Sequence, residues 1–130
     1  MTARYALDAS ALLCLINQEE GQERVRAALA ESVISAVNYS EVIAKLVERG
    51  GAVAAVSRAL EHLHLAVVEF DRASAVEAGA LWQVTRSAGL SFGDRSCLAL
   101  AKARGLVALT ADQAWTDLDG AVGVKVELVR

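Results

Sequence analysis

The chain has 130 residues, a formal net charge of −3 and a hydrophobic content of 55%. This length fits a single domain, residues 1–130, with enough buried surface for a core. No apolar run approaches the ~18 residues of a membrane-spanning helix, and the N-terminus lacks the long uncharged stretch of a signal peptide. We therefore expect a soluble, cytoplasmic protein that does not enter a membrane. Cys14 and Cys97 lack zinc-type spacing and are interpreted as small buried hydrophobic residues.

Short apolar runs alternate with helical patterns along the whole chain. In the first half, the patterns predict a strand over 3–7, helices over 10–17 and 19–30, a strand over 33–36, and helices over 38–49 and 52–63. In the second half, they predict a strand over 65–70, helices over 71–87 and 91–103, and strands over 106–110 and 124–129. Val76, Leu81 and Val84 are expected on the inner face of the helix over 71–87.

This order of elements predicts an α/β fold. Strands that alternate with helices and are apolar on both faces form parallel sheets covered by helices. We therefore expect three layers, with a parallel sheet of about five strands flanked by helices. Ligands of open sheets of this kind bind beyond the carboxyl ends of the strands.

Four acidic residues each stand where an apolar run gives way to a helix start: Asp8, Glu41, Asp94 and Asp112. All four are expected at the same edge of the sheet, where their charges would repel one another. Hard divalent cations such as Mg²⁺ take oxygen ligands from a few carboxylates together with water and phosphate. The pattern predicts a metal site that acts on a phosphate ester, with the hydroxyls of Ser10 and Thr110 supporting it.

Each acid also has an ordinary structural interpretation. Asp8 and Asp112 stand at expected helix N-caps, and Glu41 and Asp94 each follow a polar Asn or Ser by three residues, as in a capping box. Capping is the better explanation for any one acid taken alone. The shared position of all four at one sheet edge favours a joint site.

The remaining polar and aromatic residues give weaker signals. Arg95 follows Asp94 directly, and binding of a substrate phosphate and simple solvation are equally good interpretations of it. His62 and His64 would allow metal-free cleavage of a phosphate ester, but they are far in sequence from the acids and are interpreted as partly exposed packing residues. Trp82 and Trp115 are expected in the core. The negative net charge argues only weakly against a nucleic-acid partner, because bound cations would add positive charge where a phosphate docks.

Four segments in this order resemble those of the PIN-domain ribonucleases, and among them the VapC toxins of bacterial toxin–antitoxin pairs. The segments are Tyr5-Ala-Leu-Asp8-Ala-Ser10, Asn38-Tyr-Ser-Glu41-Val, Ser91-Phe-Gly-Asp94-Arg95 and Leu109-Thr110-Ala-Asp112. The resemblance covers nearly the whole chain. It implies a PIN-like three-layer fold and an endoribonuclease that depends on Mg²⁺ or Mn²⁺.

By matching position, the resemblance gives the catalytic and metal-binding roles to Asp8, Glu41, Asp94 and Asp112, with Thr110 as the neighbouring hydroxyl. Some relatives have a further acid two positions beyond the last aspartate, where this chain has Ala114. The nearby Asp117 and Asp119 are interpreted as solvated turn residues. The resemblance also implies an RNA substrate, a small VapB-like antitoxin lying along residues 10–30, and a homodimer.

Two other classes of protein remain as alternatives. A phospho-receiver domain has a similar size and fold, but it would have an acidic pair after the first strand, where this chain has only Asp8. A non-catalytic interaction module could retain the fold, although it would not need all four acids. The RNA target is not identified by the sequence.

Overall fold

The computed structural model describes residues 2–130, apart from the side chains of Asp119 and Ala121. The strands are β1 (Tyr5–Leu7), β2 (Ser32–Ser35), β3 (Ala66–Val68), β4 (Val107–Thr110) and β5 (Val126–Leu128). The helices are α1 (Ala9–Ile16), α2 (Gln22–Ala28), α3 (Ala36–Glu48), α4 (Val53–Glu61), α5 (Arg72–Ala80), α6 (Trp82–Thr85), α7 (Phe92–Arg104) and α8 (Asp119–Val122). Short 3₁₀ segments cover Leu29–Glu31, Arg86–Ala88 and Gln113–Asp117.

The five strands form one parallel sheet in the order β3-β2-β1-β4-β5. In its centre, Tyr5 pairs with Ser32 on one side and Leu7 with Leu109 on the other. The predicted α/β fold, a parallel sheet of about five strands flanked by helices, is therefore confirmed. The chain leaves β1 first towards β2 and β3 and later returns to the other side of β1 as β4. This reversal between β1 and β4 is the switch point at which open parallel sheets bind ligands.

A separate apolar core lies on each face of the sheet. The core packed by α1 to α4 contains Leu12, Leu15 and Val42, and the core packed by α5 to α8 contains Leu98 and Trp115. The prediction that Cys14 and Cys97 are buried is confirmed, one in each core. Among the described residues, no helix is both long and apolar enough to cross a membrane.

Several predicted boundaries move because local chemistry overrides the apolar pattern. The helix predicted over 19–30 begins only at Gln22, because Gly21 precedes it in the left-handed region with φ 99°. The helix predicted over 38–49 begins earlier, at Ala36, because the Ser35 hydroxyl caps it by accepting a hydrogen bond from Val37 N. The edge strand β3 is shorter than predicted, and its Val67 is exposed.

The helix predicted over 71–87 is divided into α5, α6 and a 3₁₀ turn. Leu81 is buried as predicted, but Val76 and Val84 are 66% and 41% exposed, so their predicted inward orientation is wrong. Trp82 is 49% exposed and is not a core residue. The buried residues of this segment are Ala78 in α5, Leu81 at the division and Thr85 at the end of α6.

Candidate active site

Asp8 stands immediately beyond β1, at the switch point of the sheet. Its backbone N–H donates to Leu109 O of the neighbouring strand at 2.9 Å, and its side chain is only 3% exposed. The oxygen Oδ2 accepts hydrogen bonds from Ser10 Oγ at 2.6 Å and from Thr110 Oγ1 at 2.9 Å. Both hydroxyls use the same oxygen, which leaves Oδ1 of Asp8 available to a ligand.

The two hydroxyls also connect Asp8 to the turn after β4. Ser10 Oγ accepts from Ala111 N at 2.9 Å, and Thr110 Oγ1 accepts from Asp112 N at 3.0 Å. Each hydroxyl therefore donates to the carboxylate and accepts from the backbone, so its single proton is directed at Asp8. This arrangement couples the position of Asp112 to that of Asp8. Both hydroxyls are thus in direct contact with the Asp8 carboxylate.

Glu41 projects from α3 and meets the first turn of α7. Asn38, fully buried one turn before it, donates from Nδ2 to Glu41 Oε1 at 2.8 Å and to Gly93 O at 2.9 Å. The Asn38 side chain thus joins Glu41 to α7 and does not cap a helix, because Ser35 occupies the cap. Asn38 Oδ1 has no hydrogen-bond partner among the described residues although it is buried. An unpaired buried carbonyl oxygen costs free energy, and a ligand or an ordered water in the site would supply the missing partner.

Asp94 and Asp112 have the capping geometry that the sequence allows. Ser91 and Asp94 form a capping box at the start of α7, with Ser91 N donating to Asp94 Oδ2 at 2.9 Å and Asp94 N donating to Ser91 Oγ at 3.2 Å. Asp112 accepts from Ala114 N at 2.9 Å. Asp8, by contrast, makes no side-chain cap to α1. In each capping acid one oxygen is used locally, so the cap and a ligand site are compatible.

The electrostatics show that the acids share one region. Burial, together with the charges of Asp94 and Glu41, raises the pKa of Asp8 to about 6, although the Ser10 and Thr110 hydroxyls oppose the shift. Burial also raises the pKa of Glu41 and that of Asp94, which feels the charge of Asp112 as well.

The same negative charges affect the pKa of Cys97, which is fully buried. Burial raises the pKa of its thiol, and the charges of Asp8, Asp94 and Glu41 raise it further. Each of the four acids therefore lies within electrostatic range of at least one other, and Asp94 interacts with all three of the remaining acids.

The charges of Lys45 and Arg95 lower the pKa values of Glu41 and Asp94, but the net shift of each acid is upward. Among residues 2–130, Asp8, Glu41, Asp94 and Asp112 form no salt bridge to a basic side chain. The described side chains also contain no group of three or more Asp, Glu, His and Cys residues arranged to hold an ion by themselves. Mg²⁺ is usually held by one or two carboxylates plus water and phosphate and does not need an all-protein cage. Asp8, whose Oδ1 is not used by the two hydroxyls, and its acidic neighbours Asp94 and Glu41 could supply the few carboxylate ligands that such an ion needs.

Other candidates from the sequence lie apart from this chemistry. Arg95 is half-buried and donates from Nε to Ala78 O at 3.1 Å, so this part of its guanidinium connects α7 to α5. His62 and His64 are exposed at the end of α4. Asp117 is exposed, as predicted for a solvated turn residue, and the side chain of Asp119 lies outside the described residues.

Two residues of the site were not predicted from the sequence as parts of it. Asn38 was interpreted as a helix cap, and Gly93 was not assigned a role. A side chain at position 93 would collide with the Glu41 carboxylate, since a Cβ atom there would lie under 3.0 Å from both of its oxygens. The glycine between Phe92 and Asp94 was the available signal, but its meaning depends on the contact between α3 and α7.

A model of the PIN domain matches residues 5–121 of this chain. The chain belongs to the PIN-domain family. The matched range includes all four acids of the site and both supporting hydroxyls. No curated protein sequence matches the chain.

Solved structures share the fold of this PIN domain at low sequence identity. A chain of the DNA-bound VapBC complex from Salmonella typhimurium matches with a TM-score of 0.75 and 21% identity, covering 99% of this chain and 100% of that one. A chain of a toxin–antitoxin complex from Klebsiella pneumoniae matches with a TM-score of 0.74 and 18% identity, covering 97% of this chain and 98% of that one. VapBC-5 from Mycobacterium tuberculosis matches with a TM-score of 0.61 and 24% identity, covering 98% of each chain.

Proposed function

We propose that this PIN domain is a divalent-metal-dependent endoribonuclease and the toxin of a type II, VapBC-like toxin–antitoxin pair. The nuclease proposal rests on the surroundings of Asp8. This carboxylate is buried at the switch point, with one oxygen free of hydrogen bonds and with two acidic neighbours. Among residues 2–130, it forms no salt bridge with a basic side chain. The toxin proposal is supported by the fold shared with chains of toxin–antitoxin complexes.

In this proposal, Asp8, Asp94 and Asp112 would hold Mg²⁺ or Mn²⁺, directly or through water. When bound, such an ion lowers the pKa of water and neutralises charge on a phosphate. Ser10 and Thr110 fix the orientation of Asp8 by donating to one of its oxygens. Glu41, held by Asn38, positions the attacking water and accepts its proton. Hydrolysis by water leaves a 5′-phosphate and a 3′-hydroxyl.

The nuclease proposal is tested with end-labelled single-stranded RNA in Mn²⁺. We expect the wild-type protein to cut it and leave 5′-phosphate ends, with no cleavage in EDTA. Cleavage in EDTA that yields cyclic phosphate ends would instead favour His62 and His64, the metal-free route. If the wild-type protein cuts no RNA in Mn²⁺ or in Mg²⁺, the result would favour the non-catalytic interaction module.

The phospho-receiver alternative shares the general fold but is not supported by the position of Asp71. The acid that follows the third strand, Asp71, is exposed and caps α5 by accepting from Ser74 N at 2.9 Å. It lies beyond the edge strand β3, two strands away from β1, which precedes Asp8. Failure of acetyl phosphate to modify the protein is the expected result.

An antitoxin partner is supported by an apolar groove on the α1–α4 face of the protein. The groove, of about 330 Å³, is lined by Ile16, Leu46, Gly51, Ala55, Val56, Ala59, Leu60 and Leu63. Its position differs from the prediction that the antitoxin lies along residues 10–30. Leu12 and Leu15 are buried in the chain's own core, and from α1 only Ile16 reaches the groove. We therefore propose the groove between α3 and α4, beside the end of α1, as the antitoxin site.

Homodimer formation and a cytoplasmic location complete the proposal. Val76 and Trp82, exposed on α5 and α6, are apolar side chains that a second copy would cover. The molar mass in solution, measured by light scattering, tests the dimer. Expression that arrests growth, with relief by the co-expressed partner gene, tests the toxin assignment, and harmless expression at high level would contradict it.

A further inference from the structure

Phe92 is an exposed aromatic residue at the entrance to the active site. It is the first residue of α7, next to Ser91 of the capping box and two positions before Asp94, and it is 51% exposed. A single exposed apolar side chain is common on protein surfaces and needs no explanation by itself. The surroundings of Phe92 are what distinguish it.

Phe92 forms one wall of a shallow cleft that contains a predicted catalytic carboxylate. The cleft has a volume of about 500 Å³ and is lined by Ala36, Val37, Ser40, Glu41, Ala44 and Phe92. Its size is within the ~300–1,000 Å³ typical of ligand clefts. Glu41 therefore borders both the cleft and the group of acids. A molecule in the cleft would lie against the group proposed to position the attacking water.

A second aromatic ring holds Phe92 in place. Phe70, which follows β3, contacts it edge to face, with ring centroids 5.6 Å apart and an interplanar angle of 89°. Such a contact covers at most one face of either ring. Since half of the Phe92 side chain remains exposed, a flat partner has a ring surface on which to lie.

The chemistry of the lining selects the kind of group that fits. Apart from Glu41 the lining is uncharged, and Ser40 supplies the one hydroxyl. The Glu41 carboxylate repels a phosphate, so the cleft does not suit the backbone of a nucleic acid. A flat, uncharged heteroaromatic ring suits it well. Aromatic side chains bind unpaired bases by stacking in many single-strand-binding proteins.

We propose that this cleft binds an unpaired RNA base next to the scissile phosphodiester, stacked on Phe92. This inference rests on the proposed ribonuclease function and adds a determinant of where the strand is cut. Cleavage would then occur at a fixed distance from an unpaired base and would spare duplex RNA.

The test uses single-stranded oligoribonucleotides with 2-aminopurine at successive positions, bound to the Asp8→Asn protein so that they are not cut. We expect fluorescence quenching at one position, which Phe92→Leu abolishes and Phe92→Tyr retains. In the otherwise wild-type protein, Phe92→Leu should weaken RNA binding, measured as KM, by roughly tenfold. Val53→Ala is the control, because Val53 is another exposed large hydrophobic residue and lies outside the cleft, so this variant should retain the quenching and the wild-type KM.

Three results would overturn the inference. If Phe92→Leu retains the quenching and the wild-type KM while the wild-type protein cuts RNA, the ribonuclease stands and the base site does not. If Phe92→Leu only converts a dimer into monomers, Phe92 is a subunit contact. If the wild-type protein neither binds nor cuts RNA, the proposed function fails and the base site fails with it.

Discussion

Gly93 lies directly against the carboxylate of Glu41. A Cβ atom at position 93 would approach both Glu41 oxygens to under 3.0 Å, and the Gly93 carbonyl accepts from Asn38, which also holds Glu41. The first turn of α7 therefore has no side chain where α3 presents its acid. The position of Glu41 depends on this absence as much as on its own helix.

Gly93→Ala should reduce RNA cleavage at least tenfold while leaving the protein folded. The methyl group displaces the Glu41 carboxylate, whereas the helix itself gains from the loss of a glycine. Cleavage rate and melting temperature measure the two effects separately. Gly79→Ala in α5 is the control, because nothing lies within 4 Å of a Cβ there, and it should stabilise the protein by up to ~1 kcal/mol without changing cleavage. Equal cleavage by both variants would contradict the role of Gly93.

Thr110→Val should impair both the site and the fold. The Thr110 hydroxyl is fully buried, donates to Asp8 and accepts from Asp112 N. Its removal leaves a backbone N–H without this partner, which costs about 1–3 kcal/mol, and removes one of the two hydroxyls that orient the Asp8 carboxylate. Thr110→Ser keeps the hydroxyl and should retain most of the cleavage activity. Urea unfolding and cleavage rates check both variants, and a Val variant that cleaves RNA as well as the Ser variant would refute this role.

The pKa of Asp8 predicts how the stability of the metal-free protein depends on pH. Because the value of about 6 in the folded state exceeds the ordinary 3.8, the folded protein binds this proton more tightly than the unfolded chain. Stability should therefore fall as pH rises from about 4 to 6 and change little above that range. For Asp8 alone the loss is roughly 3 kcal/mol.

Asp8→Asn should remove this pH-dependent loss of stability. In EDTA at pH 8, the melting temperature of the variant should equal or exceed that of the wild type. In Mn²⁺, the variant should not cleave RNA. Asp94→Asn should behave in the same way, because burial raises the pKa of Asp94 as well. Asp117→Asn, an exposed acid, is the charge-matched control. A drop of several degrees in Asp8→Asn with cleavage intact would show that Asp8 is only structural.

The proposed antitoxin groove can be blocked at Ala59. This exposed residue of α4 lines the groove, so Ala59→Glu would place a charge where an apolar segment is expected to pack. We expect loss of antitoxin binding by calorimetry, with RNA cleavage unchanged. Ala54→Glu, also exposed on α4 but outside the groove, should bind normally. Normal binding by Ala59→Glu would place the antitoxin elsewhere.

The position of Asp8 and Asp112 at one edge of the sheet follows from local patterns in the sequence. Asp8 and Asp112 follow apolar strands, and parallel strands end at one edge whatever their order. The contact between Asn38 and Gly93 could not be predicted, since it joins residues 55 positions apart and depends on how α3 packs against α7. Helical periodicity likewise identified apolar positions such as Val76 and Trp82 without showing that no neighbour covers them.

The uptake of Mn²⁺ by the metal-free protein, measured by isothermal titration calorimetry, tests most directly whether the acids form one ion site. We predict saturable binding to the wild type that is lost in Asp8→Asn and Asp94→Asn and retained in Asp117→Asn. The absence of binding to the wild type, or equal binding by all four proteins, would contradict the account.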